Sequence, residues 1–393
     1  MPSPGTREVG QRIATIRRVR RMTQVELARA AFVSLATVKA IERGARSPSD
    51  DTLDSIAAAL SVDPSRIITG STRTDGRVHA AIPAISAAIS AYDIPTGTAP
   101  RPLPELGAAV GQLVQWRLGA RYAQIADQAP HLLGDALAVL HQTTGADRIR
   151  AAQLLAVTAR SADAVAYKFG HQDLSARLVE LMRWAAEQTD DRIAQATAAY
   201  VRTETFFTAR AHAQGLIALE QAIDAGPSPL SRDTTAARGA LHMRAAVIAA
   251  RARDADAASL HLTEAHRLAE AVPEDAYDGT QFGPDTVRAH EVSVAVSLGQ
   301  EHLQQALDVA DEWTPPTDMP AERQSGFWIE LARAQVWAGH PGDAFESLKV
   351  ARFIAPQHTR EHPWAREAAA TLRRLKRADA ESLTSFADWI GAV

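Results

Sequence analysis

Basic side chains are concentrated near the start of the chain. Residues 7–46 contain ten Arg and Lys residues against three Asp and Glu residues. Residues 1–70 hold eleven basic and seven acidic residues, a charge of +4, whereas the remainder holds 31 and 39, a charge of −8. Because Lys and Arg side chains neutralise phosphate groups, this distribution indicates that the first segment meets a polyanion and that the remainder does not.

Few residue patterns could support catalysis or bind a metal ion. The chain has no cysteine, which excludes disulfides, thiolate metal sites and cysteine nucleophiles. The segment HTREH (358–362) matches a zinc-binding pattern that needs both histidines on one helical face, but Pro363 disfavours helix at His362. We find neither a glycine-rich phosphate-binding loop followed by lysine nor a Gly-x-Ser-x-Gly motif. We therefore expect no metal, no cofactor and no enzymatic activity.

The composition predicts an all-α protein with two or three domains. The chain has 393 residues, of which 46% are hydrophobic, and it is rich in alanine, the strongest helix former. No convincing run of alternating β-branched and aromatic residues with Asn-Gly or Asp-Gly turns indicates strands. No segment approaches about 18–20 uninterrupted apolar residues, and the basic N-terminus lacks the apolar core of a signal peptide. We therefore expect a cytoplasmic protein without a membrane partner.

Residues 8–68 are predicted to form a unit of short helices. Apolar residues recur at helical spacing through the first of them. Thr23 and Glu26 form the pattern of a capping box, which starts a second helix. Ser34 should cap a third helix that ends at Gly44, because glycine commonly follows the last helical residue. A fourth helix and a short last turn would bring the number of helices to five.

This unit resembles the helix-turn-helix domains of the Xre/Cro, lambda-repressor-like family. The resemblance covers about a sixth of the chain, and the matching residues stand at fixed spacing. The matching positions are Arg17, Gln24, Glu26, Leu27, Ala28, Val33, Thr37, Val38, Ile41, Glu42, Gly44, Pro48, Leu53, Ile56, Ala57, Leu60 and Val62. The resemblance implies that double-stranded DNA is the partner and that the third helix lies in the major groove.

The family pattern assigns the outward positions of the third helix to DNA contacts. Lys39 and Arg43 would reach phosphates or guanine, whereas Leu35 and Ala36 would press against thymine methyl groups. Direct readout should therefore be modest, and affinity should rest on phosphate contacts. The complete set of predicted DNA contacts is Arg18, Arg21, Gln24, Ser34, Leu35, Ala36, Thr37, Lys39, Arg43 and Arg46.

Two further positions bear on the geometry of this domain. Arg17 and Glu42 suit an ion pair that the family often places between its first and third helices. Phe32 stands in the turn, where the family usually has glycine because the backbone tends towards positive φ. A bulky residue in that conformation costs roughly 1 kcal/mol or more. Either the turn is remodelled, or Phe32 packs against a neighbouring surface.

The remainder of the chain is predicted to be a linker followed by helical repeats. Residues 1–70 would be the DNA-binding domain, residues 71–104 a linker with a connecting helix, and residues 105–393 a repeat domain. The clearest repeat, residues 325–356, resembles the tetratricopeptide repeat, and weaker copies precede it at a drifting spacing of about 38–48 residues. Its matching positions are Trp328, Leu331, Gly339, Ala344, Leu348, Ala351 and Pro356.

The repeats would form a solenoid whose first helices line a concave face. Aromatic side chains beside isolated charges suit a ligand pocket on that face, and ordinary solenoid surface is an equal alternative. Repeat positions place the candidate ligand contacts at Arg160, Tyr167, Tyr200, Glu204, Phe207, Met243 and Arg333, with Val247 and Ile329 beside them.

The layout as a whole resembles two groups of bacterial regulators. One comprises the peptide-pheromone receptors of Gram-positive bacteria, and the other is a broad set of actinobacterial regulators. An Arg- and Ala-rich composition with few Lys favours the second group. The resemblance implies a homodimer that reads an inverted-repeat operator at the nucleoid and senses a peptide or small-molecule effector. The alternative is a protein-interaction adaptor, in which the solenoid binds a partner protein and the first domain localises it to DNA.

Overall fold

Most described residues are helical, which confirms the all-α prediction. The computed structural model describes residues 4–20, 22–60, 67, 73–94, 101–375 and 380–392. The chain divides into two compact units, one comprising residues 1–80 and 369–393 and the other residues 81–368. No described helix is long and apolar enough to cross a lipid bilayer.

The first unit contains four N-terminal helices and the C-terminal helix. The N-terminal helices are α1 (Pro4–Val19), α2 (Gln24–Ala30), α3 (Leu35–Glu42) and α4 (Asp50–Ala59). The C-terminal helix, Ala380–Ile390, contacts α1. The sequence analysis assigned this segment to the repeat domain of residues 105–393, whereas its contacts group it with the first unit. The predicted fifth helix of the DNA-binding domain falls almost entirely in residues 61–66 and 68–72, outside the described residues.

Local hydrogen bonds set the ends of α2 and α3 as the sequence predicts. The backbone N–H of Glu26 donates to the Thr23 hydroxyl at 3.1 Å, and the Thr23 N–H donates to the Glu26 carboxylate at 2.6 Å. At the start of α3, the N–H of Thr37 donates to the Ser34 hydroxyl at 3.0 Å. These bonds satisfy donors that the first turn of a helix leaves free. Below them lies one apolar core, which contains Ile13, Leu27, Val38, Ile41, Ile56 and Leu60, each with no exposed surface.

The second unit is a succession of helices in which chain neighbours pack against each other. Two helices contain the boundaries between the units: α5 (Arg73–Ile89) contains the boundary after residue 80, and α19 (Pro363–Leu375) contains the boundary after residue 368. The helices are α6 (Leu103–Leu118), α7 (Tyr122–Gln142), α8 (Gly145–Lys168), α9 (Gln172–Glu187), α10 (Arg192–Ala209), α11 (His212–Ala225), α12 (Arg232–Arg251), α13 (Ala255–Ala269), α14 (Pro284–Leu298), α15 (Leu303–Glu312), α16 (Ala321–Trp337), α17 (Pro341–Ile354), α18 (Pro356–Glu361) and α19 (Pro363–Leu375). A short 3-10 turn, Gln300–His302, precedes α15.

The repeat predicted over residues 325–356 corresponds to α16 and α17. Gly339, at φ 82°, ends the first helix of this pair. Ala344 and Leu348 are fully buried where the two helices meet. Small residues at such crossings let helix axes approach closely, and the larger side chains fill the space between them.

A short β-hairpin interrupts the helices, which the sequence analysis did not predict. Strand β1 (Asp275–Tyr277) pairs antiparallel with β2 (Thr280–Phe282). The turn is Asp278-Gly279, with φ values of 46° and 72°, and a two-residue hairpin turn favours Asp-Gly because both central residues need positive φ. The expectation of no strands was wrong because three-residue strands are too short to show an alternating pattern.

The hairpin is tied to α12 by close packing at Gly239. Phe282 is fully buried, and its ring lies so close that a Cβ atom built on Gly239 would stand 2.0 Å from the Phe282 Cζ atom. Only glycine therefore allows α12 and β2 to approach this closely.

We expect Gly239→Ala to destabilise the second unit, because the added methyl group must displace a buried ring. The free energy of unfolding should fall by roughly 1–3 kcal/mol in urea denaturation. Gly134→Ala is the matched control, since a Cβ atom on Gly134 meets nothing within 4 Å and should raise stability by up to about 1 kcal/mol. Equal effects of the two substitutions would contradict the proposed packing constraint.

Candidate DNA-contact surface and ligand pocket

The outer face of α3 is open to solvent, while its inner face belongs to the core. Val38 and Ile41 are fully buried. Of the predicted DNA contacts, Arg18, Ser34, Ala36, Lys39, Arg43 and Arg46 are exposed, whereas Gln24, Leu35 and Thr37 are half-buried. Arg21 lies outside the described residues. Leu35 packs against the core cluster, which leaves Ala36 as the exposed apolar side chain at the start of α3.

The predicted ion pair between α1 and α3 is present and joins three helices. Arg17 donates from Nε and Nη2 to both Glu42 carboxylate oxygens, at 2.6 and 2.8 Å, and from Nη1 to the Met22 carbonyl at 2.8 Å. The Gln24 side-chain amide donates to Glu42 Oε2 at 2.7 Å. Burial acts to raise the pKa of Glu42, but the hydrogen bonds from Arg17 and Gln24 hold it below its ordinary value. This bond uses one of the two N–H donors of the Gln24 amide, and the second can still reach a phosphate.

The turn between α2 and α3 keeps the left-handed backbone despite its large residue. Phe32 has φ 54°, and its side chain is 96% exposed. Neither alternative from the sequence holds within the described chain, because the turn is not remodelled and the ring finds no apolar surface. The strain of a left-handed phenylalanine is thus left without compensating burial.

A second candidate site is an internal cavity of about 210 Å³ in the second unit. Five of the predicted ligand contacts line it, namely Arg160, Tyr167, Tyr200, Glu204 and Phe207. Met243 does not line it, since this side chain is fully buried in the core and its neighbour Arg244 faces the cavity instead. Arg333 lies one layer away, against the Trp364 ring that lines the cavity.

The cavity lining is unusually rich in charge for an interior. Its cationic side chains are Arg117, Lys168, Arg160, Arg244, Arg251 and Arg323, and its acids are Asp163, Glu204, Glu322 and Glu330. Burial raises the pKa of Asp163 well above its ordinary value and that of Glu330 to about 7. Fewer than four negative charges therefore face six cations at neutral pH.

The β-hairpin turn compensates two of these cations. Arg117 donates to the Gly279 carbonyl at 2.5 Å, and Arg160 donates to the Thr280 hydroxyl at 2.7 Å and to the Asp278 carbonyl at 3.2 Å. Burial, followed by the charge of Arg117, lowers the pKa of Arg160 to about 9. Carbonyl dipoles thus replace part of the hydration that these guanidinium groups lose.

The centre of the cavity is an electropositive cluster around Tyr200. Arg323 donates to the Tyr200 hydroxyl at 2.9 Å, and the Arg244 guanidinium stands 4.5 Å from the Tyr200 ring centroid. Burial alone would raise the pKa of Tyr200, yet Arg244 and Arg323 lower it to about 8. Burial and Arg323 lower the pKa of His290 to about 3, so this histidine is neutral. Such a field favours anionic groups.

The sequence analysis missed most cationic residues of the cavity. On α12 it selected Met243 and Val247, whereas Arg244 and Arg251 face the cavity with Val247. The available signal was their seven-residue separation, two helical turns, on an otherwise apolar helix. The repeat pattern pointed to the correct helices but was offset by one residue on α12, and one residue rotates a side chain by about 100° around a helix.

Phe32→Gly should stabilise the first unit by roughly 1 kcal/mol, because glycine adopts the left-handed backbone without strain. Hydrogen exchange of α2 and α3, followed by mass spectrometry, would measure the effect in the full chain. Phe353→Gly is the control, since Phe353 is 89% exposed but lies within α17, where glycine should destabilise. If Phe32→Ala slows the exchange of α2 and α3 as much as Phe32→Gly does, the gain comes from removing an exposed ring and not from relieving the strain of the positive φ.

Glu330→Gln should stabilise the second unit at alkaline pH but not at acidic pH. The pKa of Glu330 is raised from 4.5 to about 7 by burial, so the folded state loses stability as pH rises through this interval. The variant should exceed the wild type by at most about 3 kcal/mol at pH 8 and match it at pH 4. Urea denaturation at both pH values measures this difference. Glu346→Gln, at a 68% exposed side chain, should show no such pH dependence.

Comparisons with known proteins agree with the geometry of the first unit. A helix-turn-helix family model matches residues 13–67. The chain is 45% identical over 60 residues to an immunity repressor protein of Bacillus phage phi105, and the match covers 15% of this chain and 42% of the phage protein. The matched segment thus spans less than half the length of that relative.

Three solved structures show distant likeness over more of the chain. PlcR of Bacillus thuringiensis, in complex with the peptide PapR7 and DNA, is 15% identical, covering 67% of this chain and 95% of PlcR, with a TM-score of 0.29. The apo competence regulator ComR of Streptococcus vestibularis is 12% identical, covering 89% and 92%, with a TM-score of 0.31. The complex of PrgX with iCF10 is 9% identical, covering 89% and 97%, with a TM-score of 0.34. Residues 13–67 form a helix-turn-helix domain, whose motif helices are α2 and α3.

Proposed function

We propose that this protein is a sequence-specific DNA-binding transcriptional regulator that acts as a homodimer in the cytoplasm, at the nucleoid. The main support is the outer face of α3, where Lys39 and Arg43 are exposed on a helix whose inner face is fixed in the core. A helix presented in this way can enter the major groove of B-form DNA. In a homodimer, two such helices about 34 Å apart would read an inverted repeat.

The contacts within the groove follow from the exposure of each side chain. Lys39 and Arg43 supply charge for phosphate or guanine contacts, and Ser34 at the N-terminus of α3 offers a hydroxyl. Ala36 offers the exposed methyl group for thymine, a role that Leu35 shares less because it packs against the core. Affinity should consequently depend on phosphate contacts and therefore on salt.

The second part of the proposal is that the helical body senses a peptide or small-molecule effector. It is supported by the charged internal cavity, because enclosed polar groups suit a ligand better than they suit the flat surface of a partner protein. An effector that binds one arrangement of the body more tightly would shift the separation of the two DNA-binding domains. The adaptor alternative would instead need an outward-facing docking surface for a partner protein.

Lys39→Ala combined with Arg43→Ala should weaken DNA binding roughly 10–100-fold. Electrophoretic mobility shift on fragments selected from random DNA by the wild type measures the affinity. The slope of log affinity against log salt should also fall by about two, because two phosphate contacts are lost. Arg267→Ala with Lys349→Ala removes the same charge from the surface of the second unit and should leave both quantities unchanged. Unaltered binding by the α3 variant would refute the assignment of this helix.

A further inference from the structure

Two arginines of the second unit lie against one tryptophan ring, close to the carboxyl group of Glu330. The guanidinium carbon of Arg251, on α12, stands 4.7 Å from the Trp364 ring centroid, and that of Arg333, on α16, stands 4.3 Å from it. Phe207 and Trp337 contact the same guanidinium groups, at 4.0 and 4.3 Å. We call Arg251, Arg333 and Trp364 the guanidinium clamp.

The clamp differs from the other arginines of the cavity in having no polar partner. Within the described residues, the side chains of Arg251 and Arg333 have no hydrogen bond or ion pair, and both Nε atoms are buried without an acceptor, as are those of Arg117 and Arg244. Arg117, Arg244 and Arg323, in contrast, reach a carbonyl, a carboxylate and a hydroxyl. Both side chains are half-buried, so an anion that supplies the missing contacts would replace hydration that their guanidinium groups have partly lost.

A carboxylic acid beside the clamp completes the donor set. Glu330 is 7% exposed, and its Oε2 atom is buried without a partner. Burial raises its pKa to about 7, although Arg251 and Arg333 oppose that rise. Below this pH the acid is neutral and can donate a hydrogen bond. His362, the nearby imidazole, is neutral because burial and His358 depress its pKa.

We propose that the guanidinium clamp binds an oxyanion group, a carboxylate or a phosphate, of a small ligand. The planar guanidinium forks of Arg251 and Arg333 offer paired N–H donors that match either group. The flanking aromatic rings hold these forks in place, so little side-chain entropy is lost on binding. The protonated Glu330 donates one further hydrogen bond. The site lies at the edge of the cavity of about 210 Å³, where Arg251, Glu330 and Trp364 line the wall and Arg333 lies against Trp364. A cavity of this size holds a compact acid or the end of a longer molecule.

This inference rests on the proposed function in one respect, because it takes the ligand of the clamp to be the effector. Oxyanion binding itself does not require DNA binding. The test uses the full chain at pH 6.5 and isothermal titration calorimetry. The probes are inorganic phosphate, succinate, and trialanine with a free or an amidated C-terminus. These distinguish a phosphate, a free organic acid and a peptide terminus as the source of the oxyanion. We expect saturable binding of at least one oxyanion probe and none of the amidated peptide.

Replacing both clamp arginines, Arg251→Gln with Arg333→Gln, should weaken that binding roughly 10–100-fold, because two charge-assisted contacts are lost. The same variant should unfold at the same urea concentration as the wild type or at a higher one, since it removes two like charges that repel each other. Arg183→Gln with Arg267→Gln, two surface arginines that pair with neighbouring glutamates, is the charge-matched control. A structural role for the clamp would instead lower the stability of the ligand-free variant.

Three results would overturn the inference: no saturable binding of any oxyanion probe, equal binding of the amidated peptide, or unchanged binding by the clamp variant. If that variant fails to fold, Arg333→Lys provides the test, because it keeps the charge but loses the planar guanidinium group and should weaken binding by a smaller factor.

An electrophoretic mobility shift with and without the bound probe separates oxyanion binding from effector sensing. A probe that binds the clamp without changing DNA affinity would refute effector sensing and leave the oxyanion site intact.

Discussion

Buried arginines need acceptors, and the acceptors that they find organise both units of this protein. In the first unit, Arg17 reaches Glu42 and the Met22 carbonyl, which fixes α1 against α3 and leaves the outer face of α3 exposed. In the second unit, Arg117 and Arg160 reach the hairpin turn. Removing a guanidinium group from water without such acceptors costs several kcal/mol, so each pairing constrains the surrounding backbone strongly.

The need of buried arginines for acceptors also explains why the cavity is polar and why it suits an anionic ligand. The helices of the second unit bring six cations together, and burial suppresses ionisation of two of the four acids opposite them. The hairpin, Tyr200 and Glu204 compensate some of the excess charge. Arg251 and Arg333 have aromatic contacts and lie beside Glu330, whose pKa burial raises to about 7, so the interior keeps a preference for an anion while Glu330 is protonated.

Sequence patterns were reliable where the determining interactions are local. Thr23 and Ser34 cap their helices through bonds that span three residues, so short motifs identify them. The ion pair of Arg17 and Glu42 was predictable only through family resemblance, because 25 residues separate its members. The Asp-Gly pair at Asp278 was a local indication of the hairpin turn, but the three-residue strands beside it are too short to show an alternating pattern. The sequence left two alternatives for Phe32, and neither described an exposed ring on a left-handed backbone, because exposure depends on residues distant in the chain.

Sequence patterns alone were enough for the helical class, the helix-turn-helix domain and four of the helices that line the cavity, because alanine content, capping residues and apolar periodicity act within a few residues of each other. Only the tertiary structure decided which side chains face the cavity. An error of one residue on a helix turns a side chain by about 100°, which is why Arg244 faces the cavity where the repeat pattern placed Met243. It also decided which charges find acceptors, since Arg251, Arg333 and Trp364 come from three separate helices and meet only after the body has folded.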